Sequence, residues 1–372
     1  MKKILYIINV DWFFISHFLP IGRESIKKGF EVHLACGITD KKEYLNSLGF
    51  IVHPLSITRS GTTIKTEFKT IIEIYKTIKD IKPNILELFS IKPVLYGGVV
   101  SRFFPVPKKI FYITGLGYVF IAKGLKGFII RNVVKTLYSL AITGENNSII
   151  TENIYDKKLI SKLNGVNENQ IKIIKGAGVD LTEYKYSEEN NKNITVTMAC
   201  RLLKDKGVFE YIEAGKKIKQ KFSNVVFRLY GDIDLDNPTS LTDKDFKKIK
   251  EDGFVEVYCF SNDISSIFSN SNIVVLPSYR EGLPKVLIEA AACGRAIVTT
   301  DVPGCRDAIE PGNTGLLCKV KDSKSLSDAI EKLILDKDLR NKMGKNGRKL
   351  AEKEFDINKV VEKHFKIYEG EV

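Results

Sequence analysis

The 372-residue sequence has no run of 18 uninterrupted apolar residues, which is about the length that a membrane-spanning helix needs. We therefore expect no spanning helix. The first residues, two lysines followed by the apolar run 4–8, imitate a signal peptide. The run is broken at Asn9 and Asp11, however, and no small-residue cleavage site follows it. The segment is expected to form a first β-strand.

Paired cysteines and a complete dinucleotide motif are also missing. The six cysteines include no C-x-x-C pair, so neither a zinc site nor a disulfide framework is indicated, and a reducing cytosol fits. The glycine loop at Gly115 and Gly117 lacks the third glycine and the ribose-binding acid of a dinucleotide fingerprint. Its glycines would still let backbone approach a ligand. The length predicts two domains.

Positive charge is concentrated in the first half of the chain. Residues 1–185 carry 27 basic and 15 acidic side chains, a net charge of +12, whereas residues 186–372 carry 31 and 30, a net charge of +1. A basic domain attracts anionic partners such as a lipid surface, nucleic acid or a phosphorylated acceptor. Nucleic acid is not expected, because the basic residues do not fall in a recognised motif.

The first half alternates between short apolar segments and helical patterns. This alternation predicts a doubly wound α/β domain. The expected strands are 4–9, 30–36, 51–54 and 85–89, and the expected helices include 18–28 and 41–48. The turn at 11–18 is unusually aromatic for a βα loop, so that Trp12 and Phe14 either contact a ligand or pack in the core.

The stretch 272–294 predicts a strand, a glycine loop and a helix. The run 272–276 is short and β-branched, as in a buried parallel strand. Pro284 suits a first helical position, and a helix 284–293 would end at a left-handed Gly294. An open helix N-terminus at the carboxyl end of a strand is where α/β sheets bind anions and nucleotides.

Two carboxylates bracket this corner. Glu281 precedes the helix and Glu289 lies about five residues into it, roughly 7 Å along the axis. If a diphosphate rests on the amides between them, the two acids face groups on its opposite sides, as the sugar and ribose hydroxyls of a nucleotide-sugar require. In the alternative interpretation, Glu281 caps the helix dipole and Glu289 points to solvent.

Residues 281–284, Glu-Gly-Leu-Pro, together with Glu289 resemble the E-x7-E signature of retaining glycosyltransferases of family 4. Residues 201–207, which begin with Arg201 and end with Lys206 and Gly207, resemble the R-x4-K-G phosphate clamp of the same family. The resemblance implies a GT-B fold, in which two Rossmann-like doubly wound domains face a cleft. It implies an N-terminal acceptor-binding domain at 1–175, a donor-binding domain at 176–354 and a final helix, 355–372, that crosses back to the first domain.

The resemblance also implies roles for individual residues. Glu281 is the expected catalytic residue. The resemblance implies a UDP-sugar as the donor substrate, no cofactor and no requirement for a metal. The expected donor-binding residues are Arg201, Lys206, Gly282, Leu283, Pro284, Lys285, Val286 and Glu289. The acidic run at Asp232, Asp234 and Asp236 imitates a metal motif, but we expect these acids to be solvated.

Three acceptor-site candidates lie in the first domain: His17, Thr114 and Gly115. The segment 111–120 most resembles family-4 enzymes acting on undecaprenyl-diphosphate-linked sugars, such as bacterial N-acetylgalactosaminyltransferases. Many family members carry a histidine where this chain has Thr114. The role of that histidine is therefore not carried over to Thr114. Residues 118–128 and the following helix, 129–143, either pack on the core or dip into a membrane interface.

The function implied is transfer of an N-acetylhexosamine, such as GalNAc or GlcNAc, from a UDP donor to a polyprenyl-diphosphate-linked or other surface-glycan acceptor. The enzyme would act in the cytoplasm, bound peripherally to the inner membrane through its basic domain. Two alternatives stay open: a hexosyl- or rhamnosyltransferase of lipopolysaccharide or capsule assembly, and a catalytically silent membrane-bound assembly partner.

Overall fold

The structure is a computed structural model that describes residues 1–57, 63–116, 124–189, 193–234 and 237–371, with the side chains of 124–130 outside the description. The chain forms two compact units. Unit 1 comprises Met1–Ala177 and Lys359–Val372, and unit 2 comprises Gly178–Asn358. The chain therefore enters unit 2 at Gly178 and returns to unit 1 for its last residues.

Unit 1 contains a seven-stranded parallel sheet in the order β3-β2-β1-β4-β5-β6-β7. Its strands are β1 Lys3–Val10, β2 Glu31–Gly37, β3 Ile51–Pro54, β4 Ile85–Phe89, β5 Lys108–Ile113, β6 Asn147–Thr151 and β7 Ile171–Ile173. Its helices are α1 Asp11–His17, α2 Leu19–Lys27, α3 Lys42–Ser47, α4 Ile64–Ile81, α5 Ile91–Ser101, α6 Gly124–Ile142 and α7 Ile154–Ile160. Strands β1 and β4 are neighbours from which the chain continues in opposite directions across the sheet.

Unit 2 contains a six-stranded parallel sheet in the order β10-β9-β8-β11-β12-β13. Its strands are β8 Thr195–Ala199, β9 Val226–Tyr230, β10 Glu256–Tyr258, β11 Ile273–Leu276, β12 Ala296–Thr300 and β13 Gly315–Cys318. Its helices are α8 Val208–Lys221, α9 Asp243–Asp252, α10 Ile264–Ser269, α11 Lys285–Ala292, α12 Ser323–Leu335 and α13 Lys337–Leu350. Both units have the strand order of a Rossmann-like sheet, which confirms the predicted fold class.

The aromatic turn after β1 is not a loop, and this part of the prediction was wrong. Helix α1 begins directly at Asp11, whose buried carboxylate accepts hydrogen bonds from the backbone amides of Trp12 (2.7 Å) and Thr39 (2.8 Å). Phe14 is fully buried against Phe50, as in the core-packing alternative. The carboxylate thus fixes the helix start to the segment that follows β2, a contact that sequence periodicity does not reveal.

The last helix, α14 Ile357–Glu369, completes the core of unit 1 with its residues from Lys359 onward. The Tyr368 hydroxyl donates to Glu87 on β4, and His364 stacks on Tyr112 with ring centroids 5.6 Å apart. All four side chains are buried, so the final turns of α14 are part of the interior of unit 1.

Candidate functional site

The site in unit 2 lies where the order of its strands reverses. Strands β8 and β11 are hydrogen-bonded neighbours, with Ile273 opposite Val196, and the sheet continues outward from each of them in opposite directions. Doubly wound sheets bind ligands at the carboxyl ends of such a strand pair. The segments that follow the two strands, 200–207 and 277–284, together with helix α11, carry the residues for which the sequence predicts donor binding.

Backbone contacts hold these two segments together. Gly207 has a φ of 77°, and a Cβ at this position would stand 2.2 Å from the carbonyl oxygen of Pro277. The amide of Tyr279 donates to the carbonyl of Asp205 over 2.8 Å. A side chain at residue 207 would force the segments apart, so glycine is required for their close approach.

Lys206 and Glu281 form an ion pair across this junction. The Lys206 ammonium donates to the Glu281 carboxylate, and their side chains are 18% and 13% exposed. The structure therefore brings together the expected catalytic acid and one expected phosphate-binding cation. Lys206, which follows β8, is thus a partner that the position of Glu281 before α11 does not reveal.

Two thiols lie beside this pair, that of the half-buried Cys200 and that of the buried Cys305. Burial raises the pKa of Cys200 and of Cys305 to about 12, and the Glu281 carboxylate adds to the increase in both. Both thiols are therefore neutral at physiological pH and make poor nucleophiles.

Arg201 pairs with Asp234, for which the sequence predicts a solvated side chain. The guanidinium donates to Asp234 Oδ2 over 2.7 Å, and the two side chains are 36% and 22% exposed. Asp232 is exposed, but it accepts the backbone amide of Phe260 over 3.1 Å, and Asp236 lies outside the described residues. The expectation for Asp234 was wrong because its partner is 33 residues away in the sequence.

Helix α11 begins one residue later than predicted. Pro284 has a φ of −72° and a ψ of 116°, so it is the extended residue before the helix and not its first residue. Gly282, Leu283 and Pro284 are buried, whereas Lys285 and Val286 are half-buried. The helix ends at Ala292, one residue before the predicted end, whereas Gly294 has the predicted left-handed conformation with a φ of 75°. The amides of its first turn thus stand at the carboxyl end of β11.

Glu289 lies inside the structure and does not point to solvent. The residue is 6% exposed, and Lys285 one turn earlier places its ammonium 3.2 Å from the carboxylate. The Tyr184 hydroxyl also hydrogen-bonds Glu289, and burial followed by the charge of Glu289 raises the pKa of Tyr184 well above its ordinary value. Tyr184 is therefore a neutral donor that holds the carboxylate in place, a role that its position 105 residues upstream gives no signal for.

The acceptor-site candidates lie at the carboxyl edge of the sheet in unit 1. His17 is the last residue of α1 and its ring packs against Phe13, with centroids 4.2 Å apart. Thr114 follows β5 and its hydroxyl lies 3.3 Å from that of Ser90, while Gly115 has a φ of 112°. The structure thus brings Thr114 next to Ser90 at the end of the neighbouring strand.

Ser90 was not found from the sequence, although its conformation is unusual. It follows β4 with a φ of 72°, in a region that residues other than glycine rarely adopt. Such backbone strain concentrates at functional positions. Because β4 and β1 are the strands at which the sheet order reverses, Ser90 joins the candidate residues of unit 1.

Other expectations fall partly outside the described residues. The aromatic and basic segment 118–128, which the sequence predicts either to pack on the core or to contact a membrane, lies among residues whose placement or side chains are not described. In the part of the chain that is described, no helix combines the length and hydropathy needed to span a bilayer. Over the same residues, no three His, Cys, Asp or Glu side chains cluster as metal ligands.

Comparison with protein families matches both halves of the chain. The family described as "Glycosyl transferases group 1" matches residues 182–350, and the family described as "Glycosyl transferase 4-like" matches residues 3–152. The chain is 29% identical, over 95% of each chain, to the N,N'-diacetylbacillosaminyl-diphospho-undecaprenol alpha-1,3-N-acetylgalactosaminyltransferase of Campylobacter jejuni. It is also 29% identical to the capsular polysaccharide biosynthesis glycosyltransferase CapM of Staphylococcus aureus, over 95% of this chain and 93% of CapM.

Solved structures share the fold. Anabaena HepE in complex with UDP and glucose superposes with a TM-score of 0.76 at 16% identity, covering 99% of this chain and all of HepE. A sucrose-phosphate synthase from Thermosynechococcus elongatus gives a TM-score of 0.80 at 17% identity, covering 100% of this chain and 99% of the synthase. The likeness therefore extends over both units.

Proposed function

This chain belongs to the glycosyltransferases, with a 4-like domain in its first half and a group 1 domain in its second, and we propose that it transfers an N-acetylhexosamine from a UDP donor to a polyprenyl-diphosphate-linked glycan. The relative from Campylobacter jejuni, which spans the same length, is named for N-acetylgalactosamine transfer to an undecaprenyl-diphosphate-linked sugar. GalNAc is accordingly the first sugar to test and GlcNAc the second.

The observation that carries this proposal is the set of three ion pairs in unit 2. Arg201 pairs with Asp234, Lys206 with Glu281, and Lys285 with Glu289. All three cations belong to the two segments that leave β8 and β11 and to the first turn of α11. A diphosphate entering here would replace carboxylate partners with phosphate oxygens, so that charges already concentrated in the site are used for binding.

Each residue has a role in this proposal. Arg201, Lys206 and the amides of Leu283, Lys285 and Val286 bind the diphosphate and stabilise the charge that grows on UDP as it leaves. Glu289, held by Tyr184, accepts hydrogen bonds from the ribose hydroxyls. Pro284 fixes the start of the helix but has no amide hydrogen to donate.

Glu281 binds the hydroxyls of the donor sugar and stabilises positive charge at its anomeric carbon. Release of Lys206 to the diphosphate frees the Glu281 carboxylate for this task. The reaction retains the anomeric configuration by front-face attack, with the acceptor hydroxyl entering on the side from which UDP leaves. Cations of the chain supply the charge that a metal would otherwise provide, so EDTA should leave the rate unchanged.

In unit 1, His17, Thr114 and Gly115 contact the acceptor. The net charge of +12 on residues 1–185 attracts the anionic diphosphate of the acceptor and the inner membrane surface that holds it. The enzyme is accordingly peripheral, at the cytoplasmic face.

A panel of UDP-sugars tests the proposal through UDP release and thermal stabilisation. UDP-GalNAc should give the largest response, and Glu281→Gln should lower turnover by about a hundredfold or more while UDP affinity changes by less than about threefold. Normal turnover by the Gln variant would overturn the assignment of Glu281. UDP binding without turnover on any sugar would instead favour a silent assembly partner.

A hexosyltransferase of capsule or lipopolysaccharide assembly is the second candidate. The relatives favour it through CapM and through an Escherichia coli protein, 26% identical over 91% of this chain and 89% of its own length, named as a UDP-Gal:alpha-D-GlcNAc-diphosphoundecaprenol alpha-1,3-galactosyltransferase. Preference for UDP-Gal over UDP-GalNAc in the same panel would decide for this candidate.

A further inference from the structure

Helix α4 has an apolar stripe on its outward face. Ile64, Phe68, Ile72 and Tyr75 are 82%, 66%, 49% and 41% exposed. At 100° per residue these four side chains fall within an arc of about 80° along the 18-residue helix. Four large exposed apolar side chains in one line exceed the scattered single ones of an ordinary surface, and they mark a contact surface.

The stripe is separate from the face by which α4 packs on unit 1. Ile74, Ile78 and Ile81 are at most 7% exposed and belong to the core that covers one face of the sheet. Their mean direction lies about 110° around the helix from that of the stripe. Helix α4 therefore has two apolar faces, of which unit 1 covers one.

Lysines flank the stripe on one side. Lys65, Lys69 and Lys76 are exposed and lie within about 60° of its edge on the helical wheel. Lys69 stands 3.7 Å from Glu73, but its side chain remains 66% exposed. An apolar stripe beside a row of lysines is the arrangement of a helix that lies in a membrane interface.

Two of the three acids of α4, Glu67 and Glu73, are engaged by the protein. The third, Asp80, is exposed, but four exposed lysines outnumber it: Lys65, Lys69, Lys76 and Lys79. Glu67 accepts from Lys92 Nζ (2.6 Å) and from the Tyr96 hydroxyl (2.7 Å). Glu73 accepts from the amide and the hydroxyl of Ser56, over 2.6 and 2.9 Å. The outward charge of the helix is consequently positive, which complements an anionic surface.

The apolar surface continues on the same layer of helices. Helices α4, α5 and α6 share one core against one face of the sheet. On α6, Val133, Leu137 and Leu140 are 53%, 39% and 46% exposed and fall within about 60° of one another. Phe103, after α5, is 75% exposed. The outward side of this layer thus presents apolar side chains on more than one element.

We propose that the stripe of Ile64, Phe68, Ile72 and Tyr75, with its row of lysines, is the surface by which unit 1 lies on an anionic lipid bilayer. The apolar side chains enter the acyl boundary and the lysines contact lipid phosphates. This inference rests on the proposed lipid-linked acceptor, and it names the part of unit 1 that keeps the enzyme at the surface where such an acceptor is held.

Flotation of the full chain with vesicles tests this surface. The wild-type protein should bind vesicles of phosphatidylcholine with phosphatidylglycerol, bind pure phosphatidylcholine at least tenfold more weakly, and lose affinity as salt rises. The triple variant I64S/F68S/I72S should lose binding at least tenfold. Leu335→Ser, which alters an exposed apolar residue of unit 2, is its control and should bind as the wild type does.

The contribution of the lysines is tested by two variants that each replace three lysines with glutamine. K65Q/K69Q/K76Q should lose about a hundredfold in affinity for phosphatidylglycerol vesicles, at about tenfold or less per lysine. K337Q/K342Q/K345Q removes three exposed lysines of α13 and the same net charge, and it should lose less than threefold. Equal losses in the two variants would overturn the proposal, because net charge alone would then explain binding.

Two further measurements separate this inference from its competitors. Without vesicles, the stripe variants should hydrolyse the donor UDP-sugar at the same rate as the wild type. If the wild-type protein hydrolyses no UDP-sugar but still binds vesicles through the stripe, the proposed function is wrong and this surface is not. Sedimentation without vesicles should give the same mass for all variants. A dimer that becomes a monomer in I64S/F68S/I72S, with vesicle binding retained, would show that the stripe binds a second copy instead.

Discussion

In the proposed donor site, Asp234 would compete with a diphosphate for the Arg201 guanidinium, with which it forms an ion pair. Asp234→Asn removes the competing charge, so the dissociation constant of UDP is expected to fall two- to fivefold, a modest gain because the pair is partly exposed. Isothermal titration calorimetry measures this dissociation constant. Asp243→Asn, an exposed acid at the start of α9, is the control. Weaker binding of UDP to Asp234→Asn would show instead that the aspartate positions Arg201 for the ligand.

Tyr184 holds Glu289 through a buried hydrogen bond to a charged group, which contributes about 1.5–3 kcal/mol. Tyr184→Phe is therefore expected to weaken UDP binding about tenfold while turnover at saturating donor changes little. Tyr186→Phe, at a residue that is 38% exposed, should leave both UDP affinity and turnover unchanged. A selective loss of turnover would place Tyr184 near the reacting sugar.

At this scale the sequence predicted residues more readily than their partners. The spacing of Glu281 and Glu289 around a glycine loop pointed to the corner after β11, because strand, turn and helix are local patterns. The partners of these acids come from segments brought close only by the sheet order: Lys206 follows β8, and Tyr184 precedes it. The pairing of Arg201 with Asp234 has the same origin.

At the scale of elements, the approach of the segments 200–207 and 277–284 depends on Gly207. Gly207→Ala adds a Cβ against the Pro277 carbonyl at a φ of 77° and should lower the free energy of unfolding by about 2–4 kcal/mol. Gly253→Ala is the matched control, since its φ is 68° but nothing lies within 4 Å of the added atom. Gly253→Ala should lower the free energy of unfolding by only about 1 kcal/mol, the cost of a left-handed backbone for a residue with a Cβ.

Urea unfolding of both variants measures the difference. Equal costs would mean that only the left-handed backbone matters and that the two segments separate without penalty. UDP affinity should fall with Gly207→Ala and remain unchanged with Gly253→Ala.

Element boundaries followed local signals to within about one residue: Pro284 lies directly before α11 and not at its first position. The left-handed Gly294 follows the end of α11, and Thr242 with Asp245 forms a capping box at the start of α9. Helix α1 had no such signal, because its start is fixed by contacts between Asp11 and a segment 28 residues away. Local chemistry thus predicts helix ends, whereas long-range hydrogen bonds escape it.

For the whole molecule, the buried Glu87 predicts how stability depends on pH. Burial raises the pKa of Glu87 to about 8, whereas burial lowers the pKa of His364 to about 4. His364 Nε2 lies 3.6 Å from Glu87 Oε1, and the buried Tyr6 and Tyr368 hydroxyls complete the cluster. In the folded state Glu87 keeps its proton up to about pH 8, while the unfolded chain releases it near its ordinary pKa of 4.5.

Stability therefore falls as pH rises from about 4.5 to 8 on account of Glu87. His364 acts in the opposite direction between about pH 4 and 6.5, where the unfolded state binds the extra proton. Above pH 6.5 the effect of Glu87 remains alone, and the free energy of unfolding should drop by about 2 kcal/mol by pH 8. Urea unfolding at pH 6.5 and 8.5 measures this drop.

Glu87→Gln should remove the drop, whereas Glu251→Gln, at an exposed acid of α9, should retain it. A wild-type stability that is flat over this range would mean that Glu87 and His364 exist as a charged pair.

Because α14 returns to unit 1, it determines the order in which the two units can complete their folding during synthesis. A ribosome releases β1 to β7 long before His364 and Tyr368 exist, so the nascent sheet holds Glu87 and Tyr112 without the side chains that later cover them. Unit 2 has all its strands before that point. Unit 1, whose strands are synthesised first, is consequently completed last. Loss of the last two turns of α14 would leave a cavity in the core of unit 1, beside strands from the first half of the sequence.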